Sequence, residues 1–390
     1  MKKVYLDYAA TTPLDNEVKK AMELYQTVEF GNASSLHSFG QIARSAIEKA
    51  RQQVADFLHC QVTEVTFCGS ATEANNLAIF GIVKATQKRG LKPHIITSVI
   101  EHPAVLEPFK MLAKLGVEVD YCSVDQQGIV KIAELEKLIK LNTVLVSVMY
   151  ANNEIGTIQP IAEIANLLKQ RKAKIFFHTD AVQAVNYLDC DVVKLGVDLL
   201  TFSGHKIYGP KGVGVLLVKK GINLEPIILG GHQENGLRGG TENVAGIVGL
   251  GQAIKGINNY ELRITNSEKI KSLRDKLMDG ILQKISGTSL NGSREKRLPN
   301  NVNISFGGVE GESILMALDQ EGICVSTGSA CASGSLDPSH VLMAIGLSHQ
   351  KAHGSIRFTL GKTTTEKEID SVLKVLPNII KRLRAISPFK

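Results

Sequence analysis

Between residues 65 and 218 the chain alternates short apolar runs with longer amphipathic segments, and that rhythm admits few folds. Residues 65–68 precede a helix-like stretch at 72–88, 94–98 precede 104–115, 117–122 precede 132–141, and 143–149 precede 161–172. Runs at 174–177, 199–202 and 213–218 complete the series. Apolar runs too short for helices, each followed by a segment with helical periodicity, predict an α/β fold. Its sheet is expected to be mostly parallel, with helices on both faces.

The pattern changes after Asn243. Two helical stretches, 244–259 and 270–285, follow each other without an intervening strand. Runs at 302–306, 312–320, 323–325, 355–360 and 366–386 then suggest a smaller α+β unit. We therefore expect a large domain over residues 15–260 and a small one formed by 1–14 and 261–390, as suits a chain too long for one small core. The N-terminal segment reads as an extended arm ending at a helix start, with Pro13 suited to the first turn. A further helix is expected over 44–57, where Ala46, Ile47, Ala50, Val54 and Phe57 share a face.

Composition narrows the function classes. With 44% hydrophobic and 21% charged residues the chain has the make-up of a folded globular protein. Its 45 Lys and Arg against 38 Asp and Glu leave a net charge of +7, but the basic residues are scattered. The densest group, at 169–174, reads as a solvated helix end, and the lack of Trp weakens any base-stacking role, so no nucleic acid partner is expected. No run approaches a membrane span, and the first apolar run is too short for a signal peptide, so a cytoplasmic protein is expected. The six cysteines form no CxxC pair, which argues against a disulfide framework or a zinc cluster. Five lie in strand-like or helix-end runs and read as small buried hydrophobes. Cys331 differs, because it sits among Gly, Ser and Ala in 326–335, a composition that predicts an accessible thiol on a mobile segment.

Three strand ends carry the chemistry. Ser203-Gly204-His205-Lys206 follows a buried strand and puts an amine where an α/β sheet presents groups to a crevice. Asp180-Ala181-Val182-Gln183 follows another and adds a carboxylate and an amide. No acidic or His set at metal spacing accompanies Asp180 apart from His178, so no metal is expected, and a protonated heterocyclic nitrogen is a fitting partner for a buried carboxylate. At Gly69-Ser70-Ala71-Thr72-Glu73 a strand gives way to a helix whose first N–H groups suit a phosphate. The same residues also read as a capping box, with Ser70 as N-cap and Glu73 three positions on. A Lys for a Schiff base and an Asp for a pyridinium nitrogen are the recognition elements of pyridoxal 5'-phosphate.

With Tyr5-Leu6-Asp7-Tyr8-Ala9-Ala10-Thr11-Thr12, Glu101-His102, Asn152-Asn153-Glu154, Arg238-Gly239-Gly240-Thr241 and Ser355-Ile356-Arg357 in the same order, the chain resembles the NifS/IscS group of cysteine desulfurases. These are fold-type-I enzymes of the class V aminotransferase superfamily, and the resemblance covers nearly the whole chain. It implies a homodimer using pyridoxal 5'-phosphate. Lys206 would form the Schiff base, Asp180 would pair with the pyridine nitrogen and Gln183 with the ring oxygen. Ala71, Thr72, Ser203 and His205 would hold the phosphate with Thr241 of the other subunit. His102 would stack on the ring and move protons, while Asn153 and Arg357 would bind the substrate carboxylate.

The resemblance further implies that L-cysteine is converted to L-alanine, with its sulfur carried as a persulfide on Cys331. Delivery to a sulfurtransferase or an IscU/NifU-like scaffold, for iron-sulfur clusters or other products, would follow. Ser339-His340-Val341-Leu342 beyond the small-residue segment is similar to the subgroup with an extended loop. Rival readings are a selenocysteine lyase or an aminotransferase on the same scaffold, and a non-catalytic interaction protein. Alkylation of Cys331 separates the aminotransferase, and a colourless protein indifferent to pyridoxal phosphate would favour the scaffold.

Overall fold

The computed structural model describes residues 3–258, 260–327 and 337–387. Seven strands form the central sheet, in the spatial order Val65–Cys68, Gly214–Val218, Leu199–Ser203, Phe176–Asp180, Thr143–Ser147, His94–Ser98 and Glu118–Cys122. Only Gly214–Val218 runs antiparallel to its neighbours. The other pairings made by the remaining strands are parallel. Parallel strands need crossovers, and the helices Ala71–Lys88, Pro103–Lys114 and Ile161–Lys169 supply them. They divide the apolar side chains between two cores, one holding Phe67, Phe177 and Phe202 and the other Leu77, Ile79 and Phe109. The expected α/β sheet with helices on both faces is the architecture found.

A four-stranded antiparallel sheet, in the order Ser326–Thr327, Ser355–Thr359, Asn301–Phe306 and Thr288–Leu290, packs with the helices Tyr260–Lys284, Gly311–Gln320 and Glu366–Ile386. Its core is separate and includes Leu277, Phe306, Ile314, Phe358 and Leu376. The N-terminal arm feeds the same core through Val4 and Leu6, and Val4–Tyr5 pairs in parallel with Ile323–Cys324. In the opposite direction Val341, Leu342, Ile345 and Ala352 pack into the core of the central sheet. The chain therefore crosses between the two cores more than once, and the segment around 340 is a crossing.

Local chemistry explains where the elements differ from expectation. Pro13 lies outside the first helix, which spans Asn16–Thr27 and is capped by Asp15 accepting the Glu17 N–H. The second helix begins at Ser38, six residues early, because His37 caps it through its ring nitrogen. Ser70 accepts the Glu73 N–H at 3.1 Å, but the Glu73 carboxylate returns to the Gly69 N–H at 3.0 Å and not to Ser70. The capping box is thus replaced by a slightly wider loop. Cys68, Cys122 and Cys190 are buried as expected, whereas Cys60 and Cys324 are only partly so.

Candidate active site

All the central strands except Gly214–Val218 point the same way, so their carboxyl ends form one rim. Five of the site segments leave from that rim: 69–72 after Cys68, 101–102 after Ser98, 149–153 after Ser147, 180–183 from Asp180, and 203–206 from Ser203. A crevice at this rim is where open α/β sheets bind ligands. Here it is a cleft of about 490 Å³, within the usual range for small-molecule sites. Ala71, Thr72, His102, Asn153, Asp180, Gln183, Ser203, His205, Lys206 and Arg357 all line it. Thr241 does not; it lines a neighbouring recess with Arg238 and Glu242. Cys331 lies outside the described residues.

One end of the cleft is built for an anion. The helix Ala71–Lys88 opens onto it with Ser70, Ala71 and Thr72 on the wall, so the positive end of the helix dipole meets the cavity. His205 and Lys211 stand there too. Burial, with Lys206 and Lys211 nearby, holds the His205 imidazole down at about 4. His205 is therefore neutral at physiological pH and contributes as a hydrogen-bonding ring, with Nδ1 3.2 Å from the Thr11 hydroxyl.

The floor carries the amine and the carboxylate. Lys206 sits in a short 3-10 turn, Gly204–Lys206, directly after the fully buried strand Leu199–Ser203. Its Nζ donates to the carbonyls of Ala9 at 2.5 Å and Ala10 at 2.8 Å, so the N-terminal arm completes the site. Gln183 donates to the same Ala9 carbonyl at 3.0 Å. Asp180 is buried, accepting from Asn75 Nδ2 at 2.7 Å and from the Val182 N–H at 2.9 Å. Two donors on a buried carboxylate fix its orientation and offset part of the cost of removing its charge from water.

His102 and Arg357 form the remaining walls. His102 caps the helix Pro103–Lys114, its Nδ1 accepting the Ala104 N–H at 3.0 Å. The neutral ring therefore carries its proton on Nε2. Burial holds this imidazole below its ordinary value, against the pull of Asp180, while Lys206 and His340 add to the depression. Arg357 is in the small sheet and 2% exposed. It donates to the Asn153 carbonyl at 3.0 Å and to Asp7 at 2.8 Å, and its Nε is buried without a partner among the described residues.

Some participants were not anticipated. Asn75 follows Ala71 by four positions and Thr72 by three, so helical spacing alone places it on the face toward the cleft. Asp7 carries no such signal, since its partner Arg357 is 350 residues away. Lys211 and Met149 also line the cavity. Next to His102 and Asn153 in the chain stand two buried acids, Glu101 and Glu154. Burial pushes Glu101 up to about 8 and Glu154 to about 7, despite hydrogen bonds from Ser98 and Met149 to the first and from Ser339 to the second.

Known proteins are similar to this chain along most of its length. The class-V aminotransferase family matches residues 4–372. A cysteine desulfurase IscS of Dictyoglomus turgidum is 52% identical over 390 residues, covering all of this chain and 97% of its own. The cysteine desulfurase IscS 1 of Archaeoglobus fulgidus is 48% identical, covering 98% of both. Among solved structures, a NifS-like protein superposes with a TM-score of 0.91 at 39% identity, covering 98% of this chain and 100% of that one. SspA in complex with cysteine does so with a TM-score of 0.81 at 37% identity, covering 93% and 100%. With its fold, the order of its motifs and full-length identity in agreement, the chain belongs to the class-V aminotransferase family and, within it, to the NifS/IscS group.

Proposed function

We propose that this protein is a pyridoxal 5'-phosphate-dependent cysteine desulfurase that converts L-cysteine to L-alanine and passes the sulfur, as a persulfide on Cys331, to an acceptor protein. The observation that carries the reading is the meeting, in one cleft, of a lysine, a buried aspartate, a helix N-terminus and a buried arginine. The donor set fits the cofactor. Lys206 would hold its aldehyde carbon, Asp180 its ring nitrogen, Gln183 its ring oxygen, and Ala71, Thr72, Ser203 and His205 its phosphate. The fully buried Asn75 Oδ1, unpartnered among the described residues beside Asp180, leaves polar capacity at that end of the cleft. When bound, the cofactor supplies the electron sink that stabilises charge developing on the substrate's α-carbon.

The protein's own groups do the rest. Arg357 and Asn153 anchor the substrate carboxylate, a task suited to a planar guanidinium. The Lys206 amine moves the α-proton, and the Nε2–H of His102 serves proton transfer at the thiols. Cys331 attacks the substrate sulfur: an S–S bond forms, the C–S bond breaks, and a proton replaces sulfur on the β-carbon. Atoms balance as cysteine and a thiol in, alanine and a persulfide out. SspA, at 37% identity, has been captured with cysteine, which supports this substrate.

Thr241 lies off the cleft, in keeping with our proposal that it serves the phosphate of a second subunit in a homodimer. We take residues 15–260 as the large domain, and 1–14 with 261–390 as the small one. Iron-sulfur cluster assembly is the proposed destination of the sulfur, in keeping with the name IscS carried by the relatives. Among the described residues no helix is long and apolar enough to cross a membrane. The proposed site of action is the cytoplasm, with soluble acceptor proteins as partners. The test is a comparison of Cys331→Ala with Lys206→Ala. The first should keep the cofactor's absorbance and yield no persulfide, and the second should lose the covalent attachment of the cofactor. Undiminished desulfuration by Cys331→Ala would refute the assignment.

A further inference from the structure

Two adjacent residues outside the cleft reach two of its walls. We propose that Ser339 and His340 form a clasp that positions the substrate-binding and proton-transferring sides of the site relative to each other. Ser339 acts through Glu154 on Asn153, and His340 acts through Glu101 on His102. The proposal rests on the desulfurase reading above, which gives those two site residues different tasks.

Ser339 is buried, and its hydroxyl donates to Glu154 Oε2. The Ser339 hydroxyl oxygen also accepts the Leu342 N–H at 3.2 Å and so caps the helix His340–Ala344. A hydroxyl that donates in one direction and accepts in the other has a fixed rotamer. Glu154 is itself held firmly, for its backbone carbonyl accepts from Asn301 at 3.2 Å and from Asn303 at 3.1 Å. Both asparagines belong to the small sheet, next to the strand of Arg357. Asn153, one residue earlier, receives Arg357 on its carbonyl. Ser339 is therefore tied to the turn where the substrate carboxylate would lie.

His340 reaches the other wall. Its Nε2 donates to the carbonyl of Glu101 at 2.9 Å, the residue immediately before His102. Glu101 is fully buried, with its carboxyl group on Ser98 and the Met149 N–H, and its backbone carbonyl is the group by which His340 holds the turn. Val341 and Leu342, next in sequence, pack in the central core and keep the clasp from drifting. A two-residue segment thus spans from the 101–102 turn to the 153–154 turn, and neither end relies on a residue assigned to the chemistry.

The two ends predict opposite kinetic signatures. A net hydrogen bond of this kind corresponds to roughly a fivefold effect. In the holoenzyme, Ser339→Ala should raise KM for L-cysteine about fivefold with kcat within twofold of wild type. His340→Ala should lower kcat about fivefold with KM within twofold. Ser339→Thr and His340→Gln keep a donor at each end and should restore most of the loss. A purely structural clasp would move both parameters together in both variants, and that result, or no change in either, overturns the proposal. The His102 ring resonances, followed by NMR with the cofactor bound, report independently of turnover: they should shift in His340→Ala and return in His340→Gln. Unshifted resonances overturn the proposal even if the protein turns out not to act on cysteine, whereas a wild type without desulfurase activity but with the shift counts only against the functional reading.

Discussion

Gly214 packs against the start of the helix that we propose holds the cofactor's phosphate. It opens the antiparallel strand of the central sheet and is opposite Cys68 on one side and Ser203 on the other. A Cβ there would come 2.5 Å from the Ser70 carbonyl carbon and 2.7 Å from the Ala71 nitrogen, against an ordinary contact of 3.4 Å or more. The shortfall of up to 0.9 Å is against backbone, so no side-chain rotation relieves it. In Gly214→Ala the start of the helix Ala71–Lys88 must retreat from the strand, carrying its N–H groups with it. Overpacking of this kind costs about 1–3 kcal/mol. If half or more of that is felt at the anion site, about 0.5–3 kcal/mol, affinity for pyridoxal phosphate falls about 2- to 140-fold. Titrating the cofactor-free protein by absorbance measures this directly, and a urea melt shows how much of the cost falls on global stability instead. Cofactor affinity within twofold of wild type in Gly214→Ala would falsify the placement of the phosphate at this helix.

Other consequences follow from the same geometry. Arg357→Lys cannot serve Asp7, the Asn153 carbonyl and a carboxylate together, so KM for L-cysteine should rise at least tenfold while cofactor absorbance persists, as steady-state kinetics and a spectrum would show. Asn75→Leu removes a donor from the buried Asp180 carboxylate, and since such charged bonds are worth about 1.5–3 kcal/mol, cofactor affinity should fall tenfold or more in the same titration. Glu101 holds its proton up to about pH 8 in the fold but only to the ordinary carboxyl value of 4.5 when unfolded. The folded state then binds more protons between those values, so this group's contribution is full below pH 4.5 and is lost as pH rises towards 8. Glu101→Gln, a neutral isostere, should therefore lose less stability than wild type between pH 5 and 8 in urea denaturation, by on the order of 3 kcal/mol.

Much of this was legible in the residue order, and the physical reason is locality. A strand buried on both faces is rich in apolar residues, so the runs at 199–202 and 174–177 announced the strands Leu199–Ser203 and Phe176–Asp180, and a polar residue at the end of such a run reads as functional. Lys206, Asp180 and Thr72 were found in that way. Thr288–Leu290 was not, because a short polar edge strand has no apolar run to reveal it. The helix over Ser38–Leu58 starts with Ser38, Phe39 and Gly40, where the apolar spacing has not begun and only the cap of His37 sets the boundary. The links from Asp7 to Arg357, Ser339 to Glu154 and His340 to Glu101 join distant segments, and nothing local encodes them. Asn75 stands between these cases, since its helical phase was readable but its partner Asp180 was not.

The central claim is that sulfur leaves cysteine for one particular thiol. The holoenzyme, mixed with L-cysteine and no reductant, then trapped by alkylation and digested, should show the mass of one added sulfur on the peptide bearing Cys331, with alanine formed in equal amount. Alanine without sulfur on Cys331, or sulfur found on another cysteine while Cys331 stays a thiol, would contradict the account.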